Sequence, residues 1–342
     1  MSQGVISYLE SFLAPLARDL NRHDVTDIFI NKPGELWVET LGGRISSRKE
    51  HKLNAAALER LARQIAASSS QGISREHPLL SATLPSGERV QIVAPPATRG
   101  DMAFAIRKHV SSGLKLADYA KNDAFSDTQF GAIGVDPLPP SDTAAPPSRS
   151  EAVKLLRSAV RSRKNILISG GTSSGKTTFL NALVREIPAD ERLIFIEDTR
   201  ELEIVHDNAV GLLAARSSLS EAQVDAEDLL NASLRMRPDR IMLGEVRGPE
   251  AFTFLRAVNT GHPGSMTTIH ADSPRHAVDQ LALLVLQSGA RLGWDDIVRY
   301  VRSTIDIFVQ LDRRGGKRGI AQILSVDELY DDNAEAIGLS SR

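Results

Sequence analysis

Apolar and polar residues alternate along this chain in two styles, and the change falls before its middle. The first part is built of short segments. An amphipathic stretch from Val5 to Leu20 is followed by Asp27 to Ile30, a turn at Asn31-Lys32-Pro33-Gly34, and Glu35 to Glu39, which is the signature of a β-hairpin. From Asn54 to Ala67 a helix is predicted, because Leu58, Leu61 and Ile65 recur at helical spacing behind an asparagine able to cap it. Three strand candidates come next, Leu79 to Leu84, Arg89 to Val93 and Met102 to Arg107, the first two joined at the turn-forming Pro85-Ser86-Gly87. Together these predict a smaller α+β domain over residues 1–120.

Between Asp136 and Ser150 prolines 137, 139, 140, 146 and 147 stand among Ser, Asp, Thr and Ala, which predicts a domain linker, drawn over 121–150. Beyond it the segments lengthen. A helix is expected from Glu151 to Arg163, then an apolar strand, Asn165 to Ser169, that runs straight into glycines. Strands at Leu193 to Ile196, Ile241 to Leu243, Met266 to Ile269 and Ile305 to Val309 alternate with helices near 176–186, 225–236, 250–260 and 274–288. Apolar runs separated by helical patterns predict an α/β domain over 151–342, with a mostly parallel sheet covered on both faces.

Length and composition agree with this division. At 342 residues the chain has room for two cores, and 42% hydrophobic with 25% charged residues is ordinary globular composition. A formal net charge of −2 gives no general basic field, so direct sequence-specific nucleic-acid binding is not expected. The absence of cysteine excludes disulfides, iron–sulfur clusters and thiolate zinc sites. Met1 to Leu20 carries Glu10, Arg18 and Asp19 and does not read as a signal peptide. The densest apolar run, Leu281 to Leu286, is far shorter than the ~20 residues of a spanning helix.

Candidate chemistry lies at the strand ends. Gly170-Gly171-Thr172-Ser173-Ser174-Gly175-Lys176-Thr177 satisfies G-x-x-x-x-G-K-[ST], with a strand before it and a helix after it, and this context makes the match specific. Such a loop turns consecutive backbone N–H groups toward a β-phosphate, and the following helix adds its positive end. Lys176 supplies a cation for the β and γ phosphates of ATP, Thr177 a hydroxyl for Mg²⁺, and Thr178 is placed to touch the α-phosphate. Arg240-Ile241-Met242-Leu243-Gly244-Glu245 ends an apolar strand on an acid, so Glu245 is the Walker B candidate, able to hold Mg²⁺ or to polarise water. Leu193 to Ile196 ends in Glu197-Asp198, of which one can face the site. Glu197 is the general-base candidate, and Asp198 is expected to cap or to salt-bridge. The division of roles between Glu197 and Glu245 stays open. His270 closes a third strand and could contact the γ-phosphate, against the more frequent reading as a hydrogen-bonded structural histidine. His262 after Gly261 fits a helix end.

The order of these motifs resembles a known family. The loop at 170–178, Ile196-Glu197-Asp198-Thr199-Arg200-Glu201-Leu202, Leu243-Gly244-Glu245-Val246-Arg247-Gly248-Pro249-Glu250, Thr260-Gly261-His262 and Thr267-Thr268-Ile269-His270-Ala271 are similar to the Walker A, Asp, Walker B and His boxes of the type II/IV secretion traffic ATPases. Leu84 to Val90 and Ile106-Arg107-Lys108 fit as well, and the wording is closest to the VirB-type ATPase of type IV secretion. The resemblance implies a RecA-like P-loop domain behind an α+β domain, in a homo-hexameric ring with ATP between the domains. It also implies that Arg89 and Arg107 act on the nucleotide. The function implied is Mg²⁺-dependent ATP hydrolysis that powers export of protein or DNA, or pilus biogenesis. The partners implied are inner-membrane channel components and coupling ATPases, with a cytoplasmic chain attached peripherally to the cytoplasmic face of the inner membrane. Rival readings are a pilus assembly or retraction motor, a RecA-like nucleic-acid motor and a non-hydrolysing scaffold.

Overall fold

A computed structural model describes residues 9–41, 43–69, 71–108, 113–130, 149–214, 224–314 and 317–326, which divide between two compact units. The first holds the described residues up to 108 together with 224 and 225. Its six strands are β1 (Val25–Ile30), β2 (Glu35–Thr40), β3 (Ile45–Lys49), β4 (Leu79–Thr83), β5 (Arg89–Val93) and β6 (Ala103–Arg107), in the order β3-β2-β1-β6-β5-β4. Every neighbouring pair is antiparallel. Helix Ala55–Ser68 contributes Leu58, Leu61 and Ile65 to a core shared with Ile28, Ile30, Val90, Ile92 and Ile106. Asn54 caps that helix, its Oδ1 accepting from Ala57 N at 2.9 Å.

Two details of this unit differ from the pattern reading. The predicted helix from Val5 to Leu20 is interrupted: residues 9–13 and Ala17–Leu20 are helical, with a turn at 14–16, and residues 5–8 lie outside the described residues. Pro15 accounts for the interruption, since proline inside a helix lacks the N–H and collides with the preceding turn. Strand β3 has no counterpart in the pattern because, at the sheet edge, its residues are mostly exposed and carry no apolar alternation.

The second unit contains an eight-stranded sheet. Its strands are β7 (Gln129–Phe130), β8 (Ile166–Gly170), β9 (Leu193–Glu197), β10 (Ala209–Leu213), β11 (Arg240–Leu243), β12 (Met266–Ile269), β13 (Ile307–Arg314) and β14 (Lys317–Ser325), in the order β10-β9-β11-β12-β8-β13-β14-β7. All neighbours are parallel except β13 and β14. Alternate residues of the central strands enter two cores, Ile166 and Ile168 on one face and Leu167 on the other. Helices Arg149–Arg161 and Lys176–Val184 cover the first face. Helices Ala226–Ser233, Glu250–Asn259, Pro274–Gln287 and Trp294–Thr304 cover the second. No helix among the described residues is long and apolar enough to cross a membrane.

The sequence division places the first domain over 1–120 and a linker over 121–150, whereas the structure assigns Gly113–Ala214, like the residues from Ala226 onward, to the second unit. Helix Leu116–Lys121 and β7 pack there: Leu116 and Phe125 are buried in the first core, and Tyr119 meets the Phe179 ring edge-on at 5.1 Å. Ile320 N donates to Ala124 O at 2.8 Å, and Thr128 Oγ1 donates to Ile320 O at 2.6 Å. Leu116 and Phe125 are too far apart in sequence to register as a periodicity, so the segment passed for linker. The prolines at 137, 139, 140, 146 and 147 lie outside the described residues.

Candidate functional site

Strand β8 ends at Gly170, the chain wraps through 171–175, and helix Lys176–Val184 begins. Gly170 is obligatory because of close approach: a Cβ there would lie 2.5 Å from Ser174 Oγ and 2.8 Å from Leu311 O. Ser173 (φ +61°) and Gly175 (φ +96°) take left-handed conformations that curl the loop. Gly175 caps the helix without a side-chain hydrogen bond, so no side chain there competes for the first-turn amides of Lys176, Thr177 and Thr178. Ser174 Oγ is buried with no hydrogen-bond partner among the described residues, and a Cβ on Gly171 would enter open space. Gly170, Gly171, Thr172, Ser173, Ser174, Gly175, Lys176, Thr177 and Thr178 thus lie on the strand end, the loop and the first turn of the helix, the placement expected of an anion cradle.

Lys176 is itself buried, with Nζ donating to Gly170 O at 3.0 Å and Gly171 O at 3.3 Å. The same nitrogen lies 3.1 Å from Nδ1 of His270, at the end of β12. An ammonium only donates, so Nδ1 is the acceptor and the imidazole proton sits on Nε2. That nitrogen is 2.8 Å from Glu245 Oε1. Among the described residues, Oε1 is buried with no donor aligned on it. Burial pushes the Glu245 carboxyl up, but His270, Arg247 and Lys176 outweigh it and hold the group below its ordinary value.

Arg247 continues this chain of contacts. Its Nε donates to Glu245 Oε2 at 2.6 Å and its Nη1 to Asp198 Oδ2 at 3.0 Å. Glu250 fixes the turn that aims it, accepting from Arg247 N at 2.7 Å and Gly248 N at 2.9 Å. Burial lowers the Arg247 guanidinium, but Glu245 and Asp198 more than offset this and leave it raised. Glu197 sits beside the turn at Gly244, where an added Cβ would come within 3.2 Å of Glu197 Cβ. One of its oxygens, Oε2, accepts from both Glu201 N and Leu202 N at 2.8 Å. Asp198 forms the salt bridge that the sequence expects of it, to the arginine that also holds Glu245, while Glu197 in addition closes the following turn. His262 is the helix-end residue expected, with Nδ1 2.9 Å from Ala257 O.

Arg89 and Arg107 belong to the first unit. They are direct cross-strand partners on β5 and β6, on the face opposite its core. Asp27, in register with Arg107 on β1 and buried, accepts from Arg107 Nε at 2.9 Å. Two guanidiniums side by side repel, and Asp27 offsets part of that cost.

With this geometry in view, comparison with known proteins is decisive. Residues 146–316 match the family model of the type II/IV secretion system proteins. The type IV secretion system protein VirB11 of Bartonella henselae is 37% identical over 94% of each chain. The chain belongs to the type II/IV secretion system protein family. Another member, the type IV secretion system protein PtlH of Bordetella pertussis, is 39% identical over 93% of each chain. The ATPase DotB of Legionella pneumophila shares the fold, with a TM-score of 0.61 at 18% identity over 98% of this chain and 84% of its own. The α/β unit of this secretion-family chain accordingly has a RecA-like fold.

Residues outside the predicted set also shape the site of this family member. Arg318 on β14 donates from Nε to Ser173 O at 3.1 Å, and Gln310 Oε1 on β13 accepts from Ser169 Oγ at 2.5 Å. The signal for that hairpin was present as Gly315-Gly316 between the apolar alternations Ile305 to Leu311 and Ile320 to Leu324. Arg247 lay inside a quoted motif, but its partners come from different strands.

Proposed function

We propose that the chain hydrolyses ATP to power a type IV secretion system, working as a homo-hexameric ring. The observation that carries this reading is the contact line Lys176–His270–Glu245–Arg247–Asp198, which joins the phosphate-binding loop to the acids of two further strands. A structural loop needs no such line. Relatives at 37% and 39% identity are type IV secretion system proteins, which favours that machine over a pilus motor.

The triphosphate of ATP sits in the loop 170–178, with backbone N–H groups and Lys176 meeting its β and γ oxygens. Binding draws Lys176 Nζ from the carbonyls of Gly170 and Gly171 toward phosphate. Magnesium would be held by Thr177 and Glu245 and would supply positive charge to the phosphate oxygens. The buried Glu245 Oε1, lacking an aligned donor, suits a cation or its bound water. Glu245 and Glu197 are the carboxylates available to orient the attacking water, and His270 is placed to follow the γ-phosphate. Arg89 and Arg107 contribute guanidiniums that balance charge on the transferred group. Nucleotide-driven domain motion delivers the work to inner-membrane channel components, coupling ATPases and protein or DNA cargo, from the cytoplasmic face of the membrane.

Steady-state ATPase assays of Lys176→Ala and Glu245→Gln test the site, with a fall of about a hundredfold or more expected for each. Wild-type turnover by both variants would remove it.

A further inference from the structure

The β13–β14 hairpin bears on the nucleotide loop in a way no motif announces. Strand β13 runs parallel to β8 with Leu311 in register with Gly170, so residues 312–314 extend past the last residue of the loop's own strand. Arg318 on the returning strand then reaches back, its Nε donating to Ser173 O at 3.1 Å. Its Cδ lies 3.5 Å from where a Cβ on Gly175 would stand. Ser173, whose carbonyl it holds, and Gly175, beside which its side chain passes, are at φ +61° and +96°. Ser173 is the costlier of them, because a side chain in the left-handed region strains the backbone.

We infer that Arg318 is a positioning residue for nucleotide binding, bracing the loop from outside through the Ser173 carbonyl. The argument follows from the planarity of the peptide. In a trans peptide the C=O and the next N–H point in opposite directions, so an arginine holding Ser173 O outward turns Ser174 N–H into the loop. There it makes a 3.3 Å contact with Gly171 O, which a phosphate oxygen would replace. A charged donor strengthens the outer bond and leaves the cradle preorganised. The guanidinium is in turn anchored by the strand, since Ile320, two residues on, is tied through Ala124 O and Thr128 Oγ1.

This inference rests on the reading of loop 170–178 as an ATP site, and one experiment separates the two. ATPase kinetics and thermal melting are measured on full-length wild type, Arg318→Gln, Arg318→Lys and Lys176→Ala. The expected result is a KM for ATP raised roughly tenfold in Arg318→Gln, with kcat within about twofold and an unchanged melting temperature. Arg318→Lys, which keeps the charge but not the Nε donor, should fall between it and wild type. An unchanged KM in Arg318→Gln, while Lys176→Ala is inactive, overturns the role of Arg318 and leaves the ATP site standing. A large drop in melting temperature would assign Arg318 to stability and overturn the inference as well. Wild-type turnover by Lys176→Ala removes the site and the inference with it.

Discussion

The ammonium of Lys176 and Nδ1 of His270 lie 3.1 Å apart although 94 positions separate them in sequence. The contact couples the loop's cation to the end of β12 and, through Nε2, to Glu245. His270→Ala removes both links and leaves the loop intact. Steady-state assays should show kcat reduced about tenfold to a hundredfold, the range of a group acting on proton or charge placement, with an unchanged melting temperature. Equal kcat in the two proteins would return His270 to a structural role.

The electrostatics of Glu245 give a pH dependence. Its folded carboxyl titrates below the ordinary value of 4.5, so the ionised acid favours the folded state. That contribution is complete above about pH 5 and is lost as pH falls through the folded value. Urea denaturation of wild type and Glu245→Gln from pH 3 to 7 should show a difference that grows with pH below about 5 and is level above it. A difference that grows between pH 5 and 7 would refute the assignment.

Two neighbouring glycines should behave in opposite ways. Gly170→Ala puts a methyl group against Ser174 Oγ and the Leu311 backbone, and costs about 1–3 kcal/mol of stability by overpacking, read as a lower melting temperature. Gly171→Ala places its methyl group in open space, so melting is expected to be unchanged. Nucleotide affinity, measured by calorimetry, should nevertheless fall if phosphate fills the open space beside Gly171, which the methyl group would then occupy. Normal affinity in Gly171→Ala would contradict the placement of the phosphates.

Arg107→Ala tests the arginines. The side chain is exposed and its bond to Asp27 is at the sheet surface, so the fold should survive with a loss under about 1 kcal/mol. Hydrolysis is expected to drop about tenfold or more if the guanidinium serves the phosphoryl group. An ATPase rate equal to wild type removes Arg107 from the proposal.

Much of this protein was written locally. The strands ending at Gly170, Glu197, Leu243 and Ile269 are short apolar runs whose burial on both faces needs no context to read, and the G-x-x-x-x-G-K-T loop carries its own geometry in its glycines. Asn54 announced its helix in the same way. Elements whose side chains do not alternate were invisible: edge strand β3, short β7, and helix Leu116–Lys121, which is held by burial of Leu116 and by Tyr119 against Phe179.

Sequence by itself made legible the parallel sheet and the strand–loop–helix around G-x-x-x-x-G-K-T, because each depends on residues within a few positions of one another, but not where one unit gives way to the next. Tertiary structure decided the rest of the site. That Asp198 rather than Glu197 meets Glu245, and that Arg318 braces Ser173, depends on strand order and on the overhang of the hairpin beyond β8. Charges and donors act over a few ångströms, and only the folded sheet brings residues so distant along the chain within that reach.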